Sequence, residues 1–303
     1  MSQLVGDAFV VVRSTVRAWG GLEFMGDPIP AISESEATGL IAEIYADIRC
    51  VYRVGVINLI WRHLATIPGG LPWAWSTIRP LYVNGSVSRE AEALRAALSL
   101  PLLPPWPVAA LISAGLQDED IAGIRTVLAA YDRTNAMALI AFLALQFRPE
   151  RVSLPGDAVV RAPIPVPAEP ERDLPLPPLL ALTDMSTSTA ELVLAINRLG
   201  AMHREPILAS MYRHLAHWPA YLALVWTMLG PLKLDQRLDR AIEDAIAQAR
   251  ARARCLAAQL PTPLPSIRSI TARRVARAID SFTGDVIAKM VVICPLLRRL
   301  TDS

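Results

Sequence analysis

The chain carries its own copy. At an offset of 151 residues, Arg62, His63, Leu64, Ala65, Pro68, Leu71, Trp75, Pro80 and Leu81 recur as Arg213, His214, Leu215, Ala216, Pro219, Leu222, Trp226, Pro231 and Leu232. These are nine identities in twenty positions, where background composition predicts roughly one or two. The same offset sets Tyr131 on Phe282 and Arg53 on Arg204. Between the copies, Pro149 to Pro178 holds nine prolines in thirty residues. Proline lacks an amide donor and fixes φ, so no packed helix or central strand is expected there, but a stiff, partly polyproline-II connector. The expected plan is a lead-in over residues 1–30, one unit over 31–148, the connector over 149–177 and a second unit over 178–303.

Both units read as helical, and period-2 strand patterns are nearly absent. Ser33 with Glu36 has the spacing of a capping box, ahead of the stripe Ile41, Ile44, Tyr45 and Ile48. A break near Gly55 precedes a helix through Ile57, Ile60, Trp61 and Leu64. A third helix carries Leu71, Trp75 and Ile78 and is predicted to end before Pro80. Ser88 is placed as the cap of the next helix and Asp118 as the N-cap of a long one. The long helix, or a second one starting near Asn135, runs on to Phe147. Ser188 with Glu191 is placed as the capping box that opens the second unit. The fold class that follows is all-α: two tandem repeats of roughly 130 residues in a pseudo-twofold intramolecular dimer. Such an arrangement puts a pocket where matching but diverged segments meet.

Several chemistries are excluded or unsupported. The net charge is +2 and no basic patch is clustered, which argues against nucleic acid as a partner. The apolar runs Ala136 to Leu145 and Val286 to Leu297 fall short of the ~20 residues a membrane span requires. A membrane is therefore not expected as a partner, and a cytoplasmic location is. Cys50, Cys255 and Cys294 have no ligand spacing, so no metal site is expected, and all three are placed as buried free thiols. No phosphate loop, nucleophile elbow or zinc-protease motif occurs, and no cofactor is implied.

The run from Tyr45 to Arg49, then Arg53-Val54, the block from Arg62 to Pro68 and Trp75 resemble the group I 2-haloacid dehalogenases. So do the segment from Tyr131 to Asn135 and the block from Leu215 to Pro219. The resemblance covers nearly everything after about residue 28. It implies an all-α protein of two repeats with its pocket between them. It also implies cofactor-free hydrolysis of a carbon–halogen bond in a small 2-halocarboxylic acid, with a carboxylate activating the attacking water. On this resemblance Asn135 orients the water and Ser210 adjoins the catalytic carboxylate. The carboxylate position itself holds Met211, whose thioether cannot take a proton from water. Val56, Leu59 and Ala138 take pocket positions that are aromatic in the family.

Three residues near that segment stand as substitute bases: His214, His203 and Glu205. His214 lies three residues after Met211 and four after Ser210, next to both on a helix face. The structural alternative is a shared role with His63, such as a hydrogen bond to a carbonyl. For His203 and Glu205 the alternative is a solvated turn. His217 reads as a charge at a helix C-terminus. Two readings stand: a dehalogenase-type hydrolase, and a non-catalytic protein in which Arg53, Arg204 or Ser210 holds a small apolar carboxylic acid. Either admits a homodimer.

Overall fold

The computed structural model describes residues 29–53, 55–147, 176–203, 205–261 and 264–302. The lead-in before Ile29, most of the proline-rich connector, Val54 and Arg204 lie outside the described residues. The fold is all-α, with no strand among the described residues. Among the described residues six helices precede the connector: α1 Gly39–Tyr52, α2 Leu59–Leu64, α3 Gly70–Val83, α4 Ser86–Ala97, α5 Val108–Ser113 and α6 Asp118–Gln146. After it come α7 Thr187–Arg198, α8 Ser210–Leu215, α9 Pro219–Leu234, α10 Arg237–Ala257 and α11 Ser269–Ser281. A π-turn, Phe282–Val286, joins α11 to α12, Ile287–Thr301. Helices that begin at 59, 86 and 118 have counterparts beginning at 210, 237 and 269, each 151 residues on.

The axis of the fold is α6 against α12, with α10 and α4 packed on α6 from its other sides. From Thr134 to Leu145 every residue of α6 is buried, because neighbours surround it. One continuous helix therefore spans the segment where a second start near Asn135 was an alternative. Among the described residues, α6 alone has the length and apolarity to cross a membrane, and 83% of its most apolar window is buried inside the fold. A helix apolar all round, packed this way, is a core helix.

Several polar groups inside the core are paired with one another. Trp61 donates to the Tyr52 hydroxyl at 2.9 Å, Tyr52 to Tyr82 at 2.5 Å, and Tyr82 to the Met137 carbonyl at 3.3 Å. Asp132, on α6, accepts from Arg95 of α4 at 2.6 Å and from Arg298 of α12 at 2.7 Å. Its carboxylate is 2% exposed, so the two guanidiniums together compensate its desolvation.

Several boundaries differ from the sequence reading, each for a local reason. Helix α3 continues through Pro80 to Val83. Pro80 and Ser76 are both exposed, so the carbonyl that proline leaves without an amide faces water. The Ser33–Glu36 box forms, with the Ser33 amide 3.0 Å from Glu36 Oε2, but it closes a separate turn and α1 starts later, at Gly39. Ser186, not Ser188, caps α7: its backbone is extended and its hydroxyl accepts the Thr189 amide at 3.2 Å. Gln117 caps α6, in a reciprocal pair with Asp120, and Asp118 falls in the first turn. Gly85, with φ +75°, precedes α4, so Ser88 lies within the helix. Of the cysteines only Cys294 is buried. Cys50 and Cys255 follow Arg49 and Arg254 on the outer faces of α1 and α10.

Candidate functional site

The short helices α2 and α8 both present their first residues to one small cavity. Its walls are Asn58, Leu59 and Ile60 at the start of α2, Ala209, Ser210 and Met211 at the start of α8, and residues of α6, the π-turn and α12. Asn58 and Ala209, Leu59 and Ser210, and Ile60 and Met211 are each 151 residues apart. So are two further lining pairs, Tyr131 with Phe282 and Asn135 with Val286. The polar members, Asn58, Ser210, Tyr131 and Asn135, all face apolar counterparts. The cavity volume is about 20 Å³, space for the centre of a single water molecule.

Met211 is fully buried, and its sulfur lies 3.3 Å from the Cys294 thiol. Burial pushes the Cys294 thiol well above its ordinary range, so it is neither a nucleophile nor a base at neutral pH. Asn135 donates through Nδ2 to Cys294 at 3.6 Å, and its Oδ1 accepts from Asn58 at 3.4 Å. The same Asn58 amide donates to Thr134 Oγ1 at 3.1 Å, while Asn58 Oδ1 is buried with no hydrogen-bond partner. Asn135, which the resemblance assigns to water orientation, is therefore an amide whose donor meets sulfur and whose neighbour keeps a free acceptor.

Behind Ser210 sits Arg62, only 6% exposed. Its Nη2 donates to Ser210 Oγ at 2.8 Å and its Nε has no partner. No carboxylate pairs with it among the described residues. The duplicated arginine differs: Arg213 Nε donates to the Leu180 carbonyl at 2.6 Å.

His63 and His214, 151 positions apart, sit in comparable but not identical surroundings. His63 packs on Phe282 with ring centres 5.5 Å apart, and His214 packs on Tyr131 at 5.6 Å. Each ring thus covers the aromatic residue of the opposite unit. Tyr131 has a hydroxyl, and it bonds His214 Nδ1 at 2.9 Å; Phe282 has none, and His63 Nδ1 bonds the Pro30 carbonyl at 2.7 Å. Burial, with the positive field of Arg62 and then of His217 and Arg213, lowers the His214 pKa to about 3. A ring that resists protonation this strongly is a poor acceptor of a proton from water. Burial likewise raises Tyr131 far above its usual value, keeping it neutral. His217 bonds the Pro178 carbonyl at 2.8 Å, an anchor for the end of the connector.

The remaining sequence candidates separate. Leu59 lines the small cavity, whereas Val56 and Ala138 are core residues outside its walls. His203 and Glu205 line a different space, an open cleft of about 660 Å³ that also includes His63 and Asp285. Phe282 borders both spaces and divides them. Arg53 caps α1 in a left-handed conformation, its side chain exposed. Among the described residues no cluster of three or more His, Cys, Asp or Glu side chains has the placement of a metal site. In the sequence Arg62 stands out only as one of the residues that recur 151 positions on. The only available hint was that its neighbours at 59 and 60 match Ser210 and Met211.

These features define an all-α scaffold with a small, mostly apolar cavity lined by residues from before and after the connector. No established family profile matches the chain. It is 30% identical over 200 residues to a configuration-inverting 2-haloacid dehalogenase of Alcaligenes xylosoxydans xylosoxydans, the match covering 65% of this chain and 66% of that protein. A second such dehalogenase, from Pseudomonas sp. (strain 113), is 25% identical over 204 residues, 64% of each chain. The match thus spans just under two thirds of these relatives' length. Two solved structures, a D-2-haloacid dehalogenase mutant and a D-2-haloacid dehalogenase in complex with L-LA, share the fold at TM-scores of 0.69 and 18% identity. They cover 91% of this chain and 96% and 97% of their own. The chain is thus related in sequence to 2-haloacid dehalogenases and shares the fold of the D-2-haloacid dehalogenases.

Proposed function

We propose that this chain is a divergent member of the family that binds a small apolar carboxylic acid between two pseudo-twofold units and does not hydrolyse it. The observation that carries the reading is Arg62: a buried guanidinium behind Ser210 with no carboxylate to balance it. An uncompensated buried charge is costly, and an anion entering beside it removes that cost. Hydrolysis needs a base within reach of water. Met211, Cys294, neutral Tyr131 and the low-pKa His214 do not supply one. The matched pairs around the cavity support the pseudo-twofold reading, with one unit giving most of the polar wall.

The closed cavity does not admit a three-carbon acid, so binding requires it to widen. Phe282, the shared wall between the cavity and the outer cleft, is the side chain whose rotation would join them.

The deciding experiment measures halide release from both enantiomers of 2-chloropropionate, alongside calorimetric titration with the same acids. The expected result is saturable binding without halide release. Release above the uncatalysed rate would refute the non-catalytic reading. Absence of binding by wild type, with binding restored in Met211→Ala, would place the obstruction at the thioether.

A further inference from the structure

The open cleft is a separate and much larger space, about 660 Å³, and of the residues considered for haloacid hydrolysis only the substitute-base candidates His203 and Glu205 lie in it. Its floor is Asp285, in the π-turn, only 1% exposed. Such turns insert an extra residue into the helical ladder and re-aim a side chain, and they occur frequently at functional sites. Asp285 Oδ1 accepts the Met202 amide at 3.0 Å, while Oδ2 has no hydrogen-bond partner. Lys289 lies one helical turn away, but it donates to the Asn197 carbonyl at 2.5 Å and to Asn197 Oδ1 at 3.2 Å. It offsets the charge of Asp285 without satisfying Oδ2. A buried carboxylate oxygen that borders a cavity and has no donor is a demand for one.

The rest of the cleft specifies what else the donor carries. Arg274 and Arg277, three residues apart on α11, line it, and neither has an ion-pair partner among the described residues. Ile67, Ile207 and Phe282 supply apolar wall. Glu205 adds a second carboxylate at the rim. An anion alone leaves Asp285 unmet and is repelled by it, and an amine alone leaves both arginines unmet. A molecule with both groups and an apolar body satisfies all three parts of the site.

We propose that this cleft binds a small zwitterion, an α-amino acid with an apolar side chain. Its ammonium bonds Asp285, its carboxylate meets Arg274 and Arg277, and its side chain rests on the isoleucines and Phe282. The site does not depend on what occupies the inner cavity.

Isothermal titration of the full chain with L-leucine tests this. The expected result is saturable binding that is at least tenfold weaker for 4-methylpentanoate, 2-hydroxy-4-methylpentanoate and 3-methylbutylamine. Asp285→Asn is expected to weaken leucine binding at least tenfold. Arg277→Glu, on an exposed helix face and so without risk to the core, should do the same. Ser210→Ala, in the inner cavity, should leave it unchanged. The proposal is overturned by an absence of saturable leucine binding, by equal binding of the acid that lacks the amine, or by unchanged binding in Arg277→Glu. Loss of binding in Ser210→Ala would assign the ligand to the inner cavity and overturn it as well.

Discussion

Replacing Arg62 with methionine should make the protein more stable and a worse binder, and the opposite signs are the point. Methionine matches the length and flexibility of the arginine stem while removing the charge. The structure gives Arg62 one side-chain hydrogen bond, to Ser210 Oγ at 2.8 Å, and leaves Nε without a partner in a site 6% exposed. Losing a hydrogen bond to a charged group costs about 1.5–3 kcal/mol. Ending the burial of an unpaired guanidinium returns several kcal/mol, and swaps of buried ions for apolar residues are often stabilising by about 1–4 kcal/mol. The balance favours Arg62→Met by roughly 1–3 kcal/mol, which at ~2–4 °C per kcal/mol raises Tm by roughly 2–12 °C. The backbone hydrogen bond from the Ile32 amide to the Arg62 carbonyl, 3.1 Å, is untouched. Affinity for a small carboxylate should fall at least tenfold, about 1.4 kcal/mol. Arg213→Met is the control: it removes the bond to the Leu180 carbonyl, so it should destabilise by about 1–2 kcal/mol. Differential scanning calorimetry and titration with 2-chloropropionate read both effects. If Arg62→Met melts earlier than wild type, Arg62 is structural and the anion-binding argument fails.

Three further outcomes follow from the same structure. The His214 pKa is depressed from 6.5 to about 3, so the unfolded chain takes up a proton first as pH falls. Stability is therefore lost as pH drops from about 6.5 toward 3, by on the order of 3–5 kcal/mol in all. Urea midpoints should fall between pH 6.5 and 5, and His214→Gln should flatten that limb. Asp132→Ala strands Arg95 and Arg298, but both are partly exposed and reach water, so chemical denaturation should show a loss of about 2–4 kcal/mol, toward the lower end for a broken buried pair. Phe282→Ala empties the wall between cavity and cleft and should cost about 3–5 kcal/mol by thermal unfolding, while speeding ligand entry in stopped-flow mixing.

The helical class was legible because apolar spacing repeats along the chain and nothing competes with it, and Ile44, Tyr45 and Ile48 are buried as their stripe requires. Helix ends were less legible, since they depend on which of several serines adopts an extended backbone. Ser186 and Ser188 differ in nothing that one sequence displays. Pro80 misled because its effect turns on exposure: a proline whose freed carbonyl faces water is tolerated inside a helix. The cysteines misled for a related reason, as an apolar context by composition lies on a polar face by angle at Cys50 and Cys255. At the site, Met211 and Ser210 could be placed from the sequence, whereas Arg62 could not. Its unpaired state is a property of what surrounds it in space, and its copy Arg213 has a partner.

The residues 151 positions apart also bear on why the cavity and the cleft share one wall. Residue 131 and residue 282 are matched, and each is covered by the histidine of the other unit. In one unit the aromatic kept a hydroxyl, so its histidine is tied inward to Tyr131 and held neutral. In the other the aromatic is Phe282, so its histidine turns to the Pro30 carbonyl and borders the open cleft. The helix carrying Phe282 is also the one that slips into a π-turn, which places Asp285 where the matching residue in α6 is Thr134, bonded to the Ala130 carbonyl at 2.8 Å. A regular helix with a satisfied threonine gives a closed wall. A π-turn with an unsatisfied carboxylate gives an open one. The difference between Tyr131 and Phe282, with the π-turn that follows, separates a water-sized, mostly apolar cavity from a solvent-facing cleft, and His203 and Glu205, close in sequence to Met211, line the cleft instead.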